Sequence, residues 1–575
     1  MIKYSAKSMK AGLFLPITME EMHALSINQL DVILVTGDAY IDHPAFGAAI
    51  VGRYLQSLGL TVGIIAMPDV NVPEDFTCLG RPRYFFGVTA GNVDSMLSLF
   101  TAQKKIRSDD PYVPADRIGL RPQRATIAYC NALKRSFKNV PIIIGGVEAS
   151  LRRLAHYDYW SDTVRQSVLL DAKADMLVYG MAEKPLTAVV AGLKAGKPLY
   201  SLASIPGTVI KLGKKDLDNL DLSKKGIVEL PSFENVRQSK QAFSEMTRMF
   251  LENIHAAQIQ HSGTCAVIIN PPAQPLSQKE IDAVYELPFV YRPHPSYKEK
   301  IPAFEQIKDS FVVVRGCLGG CNFCGLGMHQ GKTIQSRSVN SITREIVKRA
   351  AFPEWKGIVS DLGGPTANMY GLFCKQETAK NRCKRRSCLS PAPCAMLETN
   401  QGAFADLIRH VGAMQEVKHL FVNSGIRMDL ALLWPEIIEV LAQKAVGGQM
   451  SVAPEHVSAR VLKLMNKPVD TGWEKFEEIF DRAGKKVGKK QYLAPYLIAG
   501  HPGSSFAQVK ELADYLKRRG LHVEQVQEFI PLPMTVSASM YYTGQDPFTK
   551  ETIDVSYKLR DTRREKGTIM WWRRK

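Results

Sequence analysis

Three cysteines at i, i+4 and i+7 constrain this chain more than any other feature. They lie in Cys317-Leu-Gly-Gly-Cys321-Asn-Phe-Cys324-Gly, directly after the apolar run Phe311-Val312-Val313-Val314. Three thiolates can hold three irons of a [4Fe–4S] cube and leave the fourth iron open, whereas a sealed electron carrier takes four cysteines. Gly316, Gly319, Gly320 and Gly325 let the backbone wrap tightly around such a cube and turn its amides toward the sulfurs. A zinc site is the competing reading. Zinc sites show CxxC pairs and a fourth ligand nearby, a role open to His329.

The CxxxCxxC spacing, with the aromatic Phe323 before the last cysteine, resembles the signature of the radical S-adenosylmethionine (SAM) superfamily. Ten cysteines in 575 residues are not a disulfide framework, and seven of them crowd between 317 and 394. That pattern reads as metal chemistry in a reducing compartment, so a cytoplasmic location is expected. Hydrophobic residues make up 45% and charged residues 23%, as in a soluble globular chain. No apolar run reaches the ~18–20 residues that cross a bilayer. The start, MIKYSAKSMKAGLFLPITMEEM, makes a poor signal peptide because acidic residues follow a weak apolar patch. A net charge of +18 attracts anions: nucleic acid, phosphorylated substrates or SAM-like cofactors.

Strand and helix signals alternate along the first part of the chain. Asp31–Val35, Val62–Met67, Tyr84–Val88, Ile142–Ile144 and Met176–Gly180 read as strands, with helical patterns at Ala45–Leu58 and through Met96 and Leu99. Apolar runs separated by helix-length segments predict a Rossmann-like parallel-sheet α/β domain over 1–230. Residues 211–229 are charged and aperiodic, which predicts an exposed linker or insertion. A helical and irregular connector is expected over 231–305, amphipathic from about Glu234 to Ile259. A second α/β unit over 306–545 carries strand patterns at 310–314, 356–360, 418–424, 449–453, 492–498 and 523–529. Helical patterns at 341–351, 402–414, 430–445, 473–483 and 506–519 lie between them. Six such units predict a partial (β/α)6 TIM-type barrel, whose chemistry sits at the C-terminal ends of its strands. The tail 546–575 is basic and ends Trp571-Trp572-Arg573-Arg574-Lys575. It is expected to be a final helix packing its tryptophans on the barrel, with a nucleic-acid contact as the alternative.

The remaining motifs fall at those strand ends. Gly363 and Gly364, after the second barrel strand, leave backbone room for a small ligand. In radical SAM enzymes the equivalent segment holds the SAM amino group, commonly with an acidic residue next, and here Pro365 takes that place. Asn423-Ser424-Gly425-Ile426-Arg427-Met428-Asp429 follows the third strand. Arg427 could grip a carboxylate such as that of SAM at two points, or pair with Asp429. Glu455 could hold ribose hydroxyls or the SAM ammonium, while His456 could be an acid/base group or a structural histidine. Gly500, in Gly500-His501-Pro502-Gly503, suits cofactor packing, and Phe529 or Ile530 could face an adenine. A second thiol group, Cys374, Cys383, Cys388 and Cys394, asks for a metal; a second iron–sulfur cluster and a structural zinc both fit. The interleaved Lys375, Lys380, Arg382, Lys384, Arg385 and Arg386 would offset its charge or contact an anionic substrate.

Over nearly its whole length the chain resembles the YgiQ family of radical SAM proteins. The resemblance rests on GGVEASLRR (145–153), HYDYWSD (156–162), LPFVYRPHP (287–295), RGCLGGCNFC (315–324), LGGPTANMYG (362–371), VAPEHV (452–457), the HPG turn and MYYTG (540–544). It implies a [4Fe–4S] cluster on Cys317, Cys321 and Cys324, SAM, a barrel core and an electron donor such as flavodoxin or ferredoxin. The reaction it implies is reductive SAM cleavage to a 5′-deoxyadenosyl radical that acts on an unidentified substrate. The first domain has the layout of cobalamin-binding domains on other radical SAM enzymes, which use DxHxxG. Asp42-His43-Pro44-Ala45-Phe46-Gly47 has the wrong spacing for it, so His43 is expected to be a loop or pocket residue. Two other readings stay open: a cobalamin-dependent methyltransferase, and a non-catalytic iron–sulfur protein that binds RNA or senses redox state.

Overall fold

A computed structural model describes residues 14–218, 226–376 and 383–573. The first 22 residues, read as a poor signal peptide, part of the charged 211–229 stretch, Lys380, Arg382 and the last two basic residues therefore lie partly or wholly outside the described residues.

The first half is built on nine strands: β1 Val32–Thr36, β2 Val62–Ala66, β3 Phe85–Thr89, β4 Ile142–Ile144, β5 Met176–Val178, β6 Thr208–Leu212, β7 Val228–Leu230, β8 Gln258–Ser262 and β9 Cys265–Ile269. Their order across the sheet is β7-β8-β9-β6-β5-β4-β3-β1-β2. The first five are parallel neighbours, in a 2-1-3-4-5 arrangement of flavodoxin type. Helices cover both faces, so β1, with all five residues buried, reads as an unbroken apolar run.

The sheet does not stop at 230. β8 and β9 come from the expected connector, and the stretch expected as a linker runs between β6 and β7. Charge hid these strands in the sequence. β7 is an edge strand with Glu229 exposed, as edges carry such residues to resist pairing with other chains, and interior β6 carries exposed Lys211 next to its last residue, where the charged stretch begins. The amphipathic stretch after 233 is two helices, Phe233–Gln238 and Lys240–Glu252, broken at Ser239, whose side chain caps the second. Further on, Gln278–Tyr285 is helical and Arg292–Pro293 pairs back with Ile41–Asp42.

The second half forms six parallel strands: β10 Ser310–Val312, β11 in two pieces (Ile358–Val359 and Asp361–Gly363), β12 His419–Leu420, β13 Gln449–Glu455, β14 Tyr492–Ala499 and β15 Gln525–Glu528. Neighbours pair in chain order, with Ile426 and Val452 bridging the third unit to β13. Among the described residues no ladder joins β15 back to β10, so the barrel is partial. Its helices Val339–Ala350, Gly402–Gly412, Trp473–Lys486 and Phe506–Arg518 match the sequence periodicity closely. The C-terminal helix Leu559–Ile569 follows, and Trp572 stacks on His522 and donates to the Val523 carbonyl (3.2 Å), which pins the tail to the barrel.

One apolar core joins the halves: Val461, Leu462, Met465, Phe529 and Tyr541 pack into the cluster that holds β1, β3 and β4. Among the described residues no helix is long and apolar enough to cross a membrane.

Candidate functional site

The loop after β10 is held open by its glycines. Gly316 has φ +87°, and a Cβ there would sit 2.1 Å from the Thr333 carbonyl oxygen; at Gly320 (φ +58°) it would sit 2.1 Å from that of Arg386. The loop then enters the short helix Leu326–Gln330, which lies against the first half. Gly325 lets Leu151 approach, and His329 Nδ1 meets Ser150 Oγ at 2.9 Å. Buried Arg315, just before the loop, pairs with Glu183 at 2.6 Å. The segment 145–153 thus acts as the seat of the cysteine loop.

Cys317, Cys321 and Cys324 line the same two cavities, one of about 170 Å³ in the barrel mouth and one of about 420 Å³ toward the first half. Burial raises the Cys317 thiol and pushes Cys324 up to about 12, and Cys321 adds to both shifts, which places the three thiols as electrostatic neighbours. The donor set fits a cube: three thiols on one loop, beside space for a fourth, non-protein ligand. The His329 Nδ1 is engaged by Ser150 Oγ, and burial lowers the ring to about 4. Among the described residues no three His, Cys, Asp or Glu side chains are arranged around one metal ion. A cube asks less convergence of its ligands, because each sulfur takes a different iron.

Arg427 does not present an open fork. Its Nε and Nη2 donate to Asp429 (3.0 and 2.5 Å), and Nη1 donates to the Cys321 sulfur (3.3 Å). Burial pushes the Asp429 carboxyl up, but Arg427 outweighs it and holds the group below the usual range. The guanidinium is therefore set to offset negative charge on sulfur rather than to grip a free carboxylate. Glu455 ends β13 with φ +68° and lines the smaller cavity, with Lys467 at 3.8 Å. Burial raises its carboxyl, opposed by Lys467 and Arg427. A non-glycine residue there carries strain of order 1–3 kcal/mol, a pattern that clusters at functional sites.

Phe323 lines the smaller cavity, as do Pro365 and Thr366. Gly363 and Gly364 stand just behind: a Cβ on Gly363 would meet Asp361 and Ser424, and the Gly364 amide donates to Ser424 Oγ (3.3 Å). Asp361, which sequence reading passed over, organises this turn. It accepts from Ser424 Oγ (2.5 Å) and from the Asn423 and Ser424 amides. Its signal was its place two residues before the glycine pair. Lys467, the partner of Glu455, had no sequence signal at all.

Two expectations are corrected. Gly500 faces the C-terminal helix, its amide donating to Glu565 and its α-carbon tight against Thr562. Phe529 lies in the core behind His501, ring to ring at 5.2 Å, and does not line the cavity. A strand-end residue serves the mouth only when its pleat faces inward, and these two positions face the C-terminal helix and the core instead. His456 and His501 are buried, lowered to about 4 and about 3 by burial, and His456 Nδ1 accepts from the Ser458 amide (3.0 Å).

The first half also carries a sheet crevice between the C-terminal ends of β1 and β3, where 2-1-3-4-5 sheets bind cofactors. Here it is filled. Arg121, fully buried, bonds Asp38 (2.8 Å), Asp110 (3.1 Å) and the Ala90 carbonyl. A Cβ on Gly91 would lie 2.1 Å from Asp38. His43 is buried, accepts from the Ala45 amide (3.1 Å), and is lowered to about 3 by burial and Arg349. These residues do not fit a corrinoid.

Comparison with known proteins agrees with this geometry. The radical SAM N-terminal family matches residues 14–310, the radical SAM superfamily 311–516, and a domain of unknown function (DUF3362) 524–574. A UPF0313 protein of Geobacter sulfurreducens is 46% identical over 97% of this chain and 92% of its own length. One from Methanocella arvoryzae is 45% identical over 96% and 92%. Among solved structures, the radical SAM methyltransferase TsrM from Kitasatospora setae, with cobalamin and a [4Fe–4S] cluster bound, aligns at TM-score 0.50 and 13% identity. That match covers 88% of this chain and 74% of that one, a likeness of fold.

Proposed function

The chain belongs to the UPF0313 (YgiQ) family of radical SAM enzymes, and from that premise we propose that it cleaves SAM reductively and abstracts hydrogen from an anionic substrate. Cys317, Cys321 and Cys324 would hold the cluster, and SAM would bind in the barrel-mouth cavity. The bound cluster would supply the electron for reductive cleavage of SAM, and SAM would supply the hydrogen-abstracting group.

The protein's part is placement. Arg427, held by Asp429, offsets charge at the Cys321 sulfur. Glu455, steadied by Lys467, faces the cavity where a ribose or ammonium group would lie. Asp361 and Ser424 fix the Gly363–Gly364 turn beside it. Phe323, edge-on to neutral His501 at 6.1 Å, closes the wall against water. The larger cavity is of a size for one small ligand. Its walls carry Arg153, Lys184, Lys384 and Arg385, while its one acid, Glu183, is spent on Arg315. That balance, with the +18 charge, favours an anion.

The observation that carries the reading is three thiols of one loop at the junction of two cavities, with a guanidinium on one sulfur. Reconstituted protein given SAM and dithionite should form 5′-deoxyadenosine, and the triple variant C317A/C321A/C324A should form none. Undiminished cleavage by that variant would overturn the reading. The filled β1/β3 crevice speaks against a cobalamin-dependent methyltransferase, and no step is assigned to a corrinoid.

A further inference from the structure

We propose that Cys374, Cys383, Cys388 and Cys394 hold a second iron–sulfur cluster, and that electrons reach the first cluster through it. The inference rests on the radical SAM reading of the first trio.

The four thiols lie on the described stretches 374–376 and 383–394, which form no helix. Cys374 bridges to Leu397, the Leu397 amide donates to the Cys394 carbonyl (2.9 Å), and the Cys394 amide donates to the Cys388 carbonyl (2.8 Å). Cys388 and Cys394 pack on the small apolar cluster of Leu318, Met369, Leu372, Leu389 and Leu397, which Cys317 also touches. Cys383 stands toward Lys332, whose ammonium is 3.7 Å from its sulfur and also bonds the Arg385 carbonyl. All are free thiols. Four thiolates can ligate a polynuclear cluster or one tetrahedral zinc, and the iron and zinc counts below separate the two. Lys332, Lys384, Arg385 and Arg386 offset the charge of such a cluster.

This group is seated directly on the first. The Cys388 amide donates to the Leu318 carbonyl at 3.0 Å, and Leu318 is the peptide neighbour of Cys317. The Arg386 carbonyl occupies the space left by the missing Cβ of Gly320, and Arg386 Nη1 donates to Asn322 (2.9 Å). A ligand of each cluster is therefore joined by one hydrogen bond and a short stretch of backbone. A one-electron carrier of the flavodoxin or ferredoxin class reduces the second cluster; that electron passes to the first, and the second returns to its oxidised state. No bond or proton changes in this step.

Anaerobic reconstitution of the full chain, with iron, sulfide and zinc counts and EPR of the reduced protein, tests this. Wild type should hold about eight irons per chain, and C388A/C394A about four, with the SAM-sensitive EPR signal kept. That variant should lose flavodoxin-driven SAM cleavage relative to its own dithionite-driven cleavage. About four irons in wild type, all lost in C317A/C321A/C324A, with zinc or nothing on the second group, would overturn the proposal and leave the radical SAM reading intact. About four irons in wild type, all kept in C317A/C321A/C324A and all lost in C388A/C394A, would instead sink the radical SAM reading. The wild-type count decides even if a variant fails to fold.

Discussion

Arg427 shows how much one side chain can carry. It joins a carboxylate to a sulfur of the cysteine loop with no water between them. Arg427→Met would leave Asp429 buried and unpaired, a change that costs about 3–5 kcal/mol. Arg427→Lys keeps the charge but loses the fork, so the reductive SAM cleavage rate should fall about 10–100-fold, as for other groups that orient metal ligands. A lysine variant with the wild-type rate would show that the sulfur contact is idle. The cysteine trio was legible in the sequence because its spacing is local. The pairing of Arg427 with Asp429 was visible as one of two options, since the residues are neighbours on the chain. Lys467 was not legible, because it reaches Glu455 from a different turn of chain.

At the scale of elements, the loop between β10 and its helix depends on backbone that only glycine adopts easily. Gly320→Ala would drive a Cβ into the Arg386 carbonyl at positive φ, displacing both cysteine groups at once. Cluster content after reconstitution should drop sharply. Gly327→Ala, in the following helix with open space around it, should be tolerated and can gain up to about 1 kcal/mol in helix propensity. Iron counts and denaturant midpoints of the two variants, side by side, separate a local geometric demand from general intolerance. The barrel helices were readable because each shows one buried stripe over several turns. β6 and β7 were not, since β7 is a three-residue edge strand with exposed Glu229 and interior β6 runs into the same charged stretch at exposed Lys211.

Across the whole molecule, burial lowers several histidines strongly: buried His43 and His501 to about 3, and buried His156 and His456 and half-buried His329 to about 4. The unfolded chain takes up these protons first, so the stability they represent is present above the unfolded value near 6.5 and is lost as pH falls below it. Each can contribute up to about 1.4 kcal/mol per pH unit. The denaturant midpoint should fall from about pH 7 to about pH 5.5, and His456→Gln should make that slope shallower. A flat profile would mean these rings are protonated or solvated in the fold. The filled crevice between β1 and β3 leads to another outcome: protein mixed with hydroxocobalamin and gel-filtered should keep none. The sequence by itself determined the cysteine loop, the α/β alternation and the six barrel units, because ligand spacing and hydrophobic periodicity are properties of adjacent residues. Only the tertiary structure decided that Arg121 closes the sheet crevice and that Gly500 and Phe529 turn away from the mouth. It alone also laid the second thiol group on the first, since all of these depend on contacts between residues far apart along the chain.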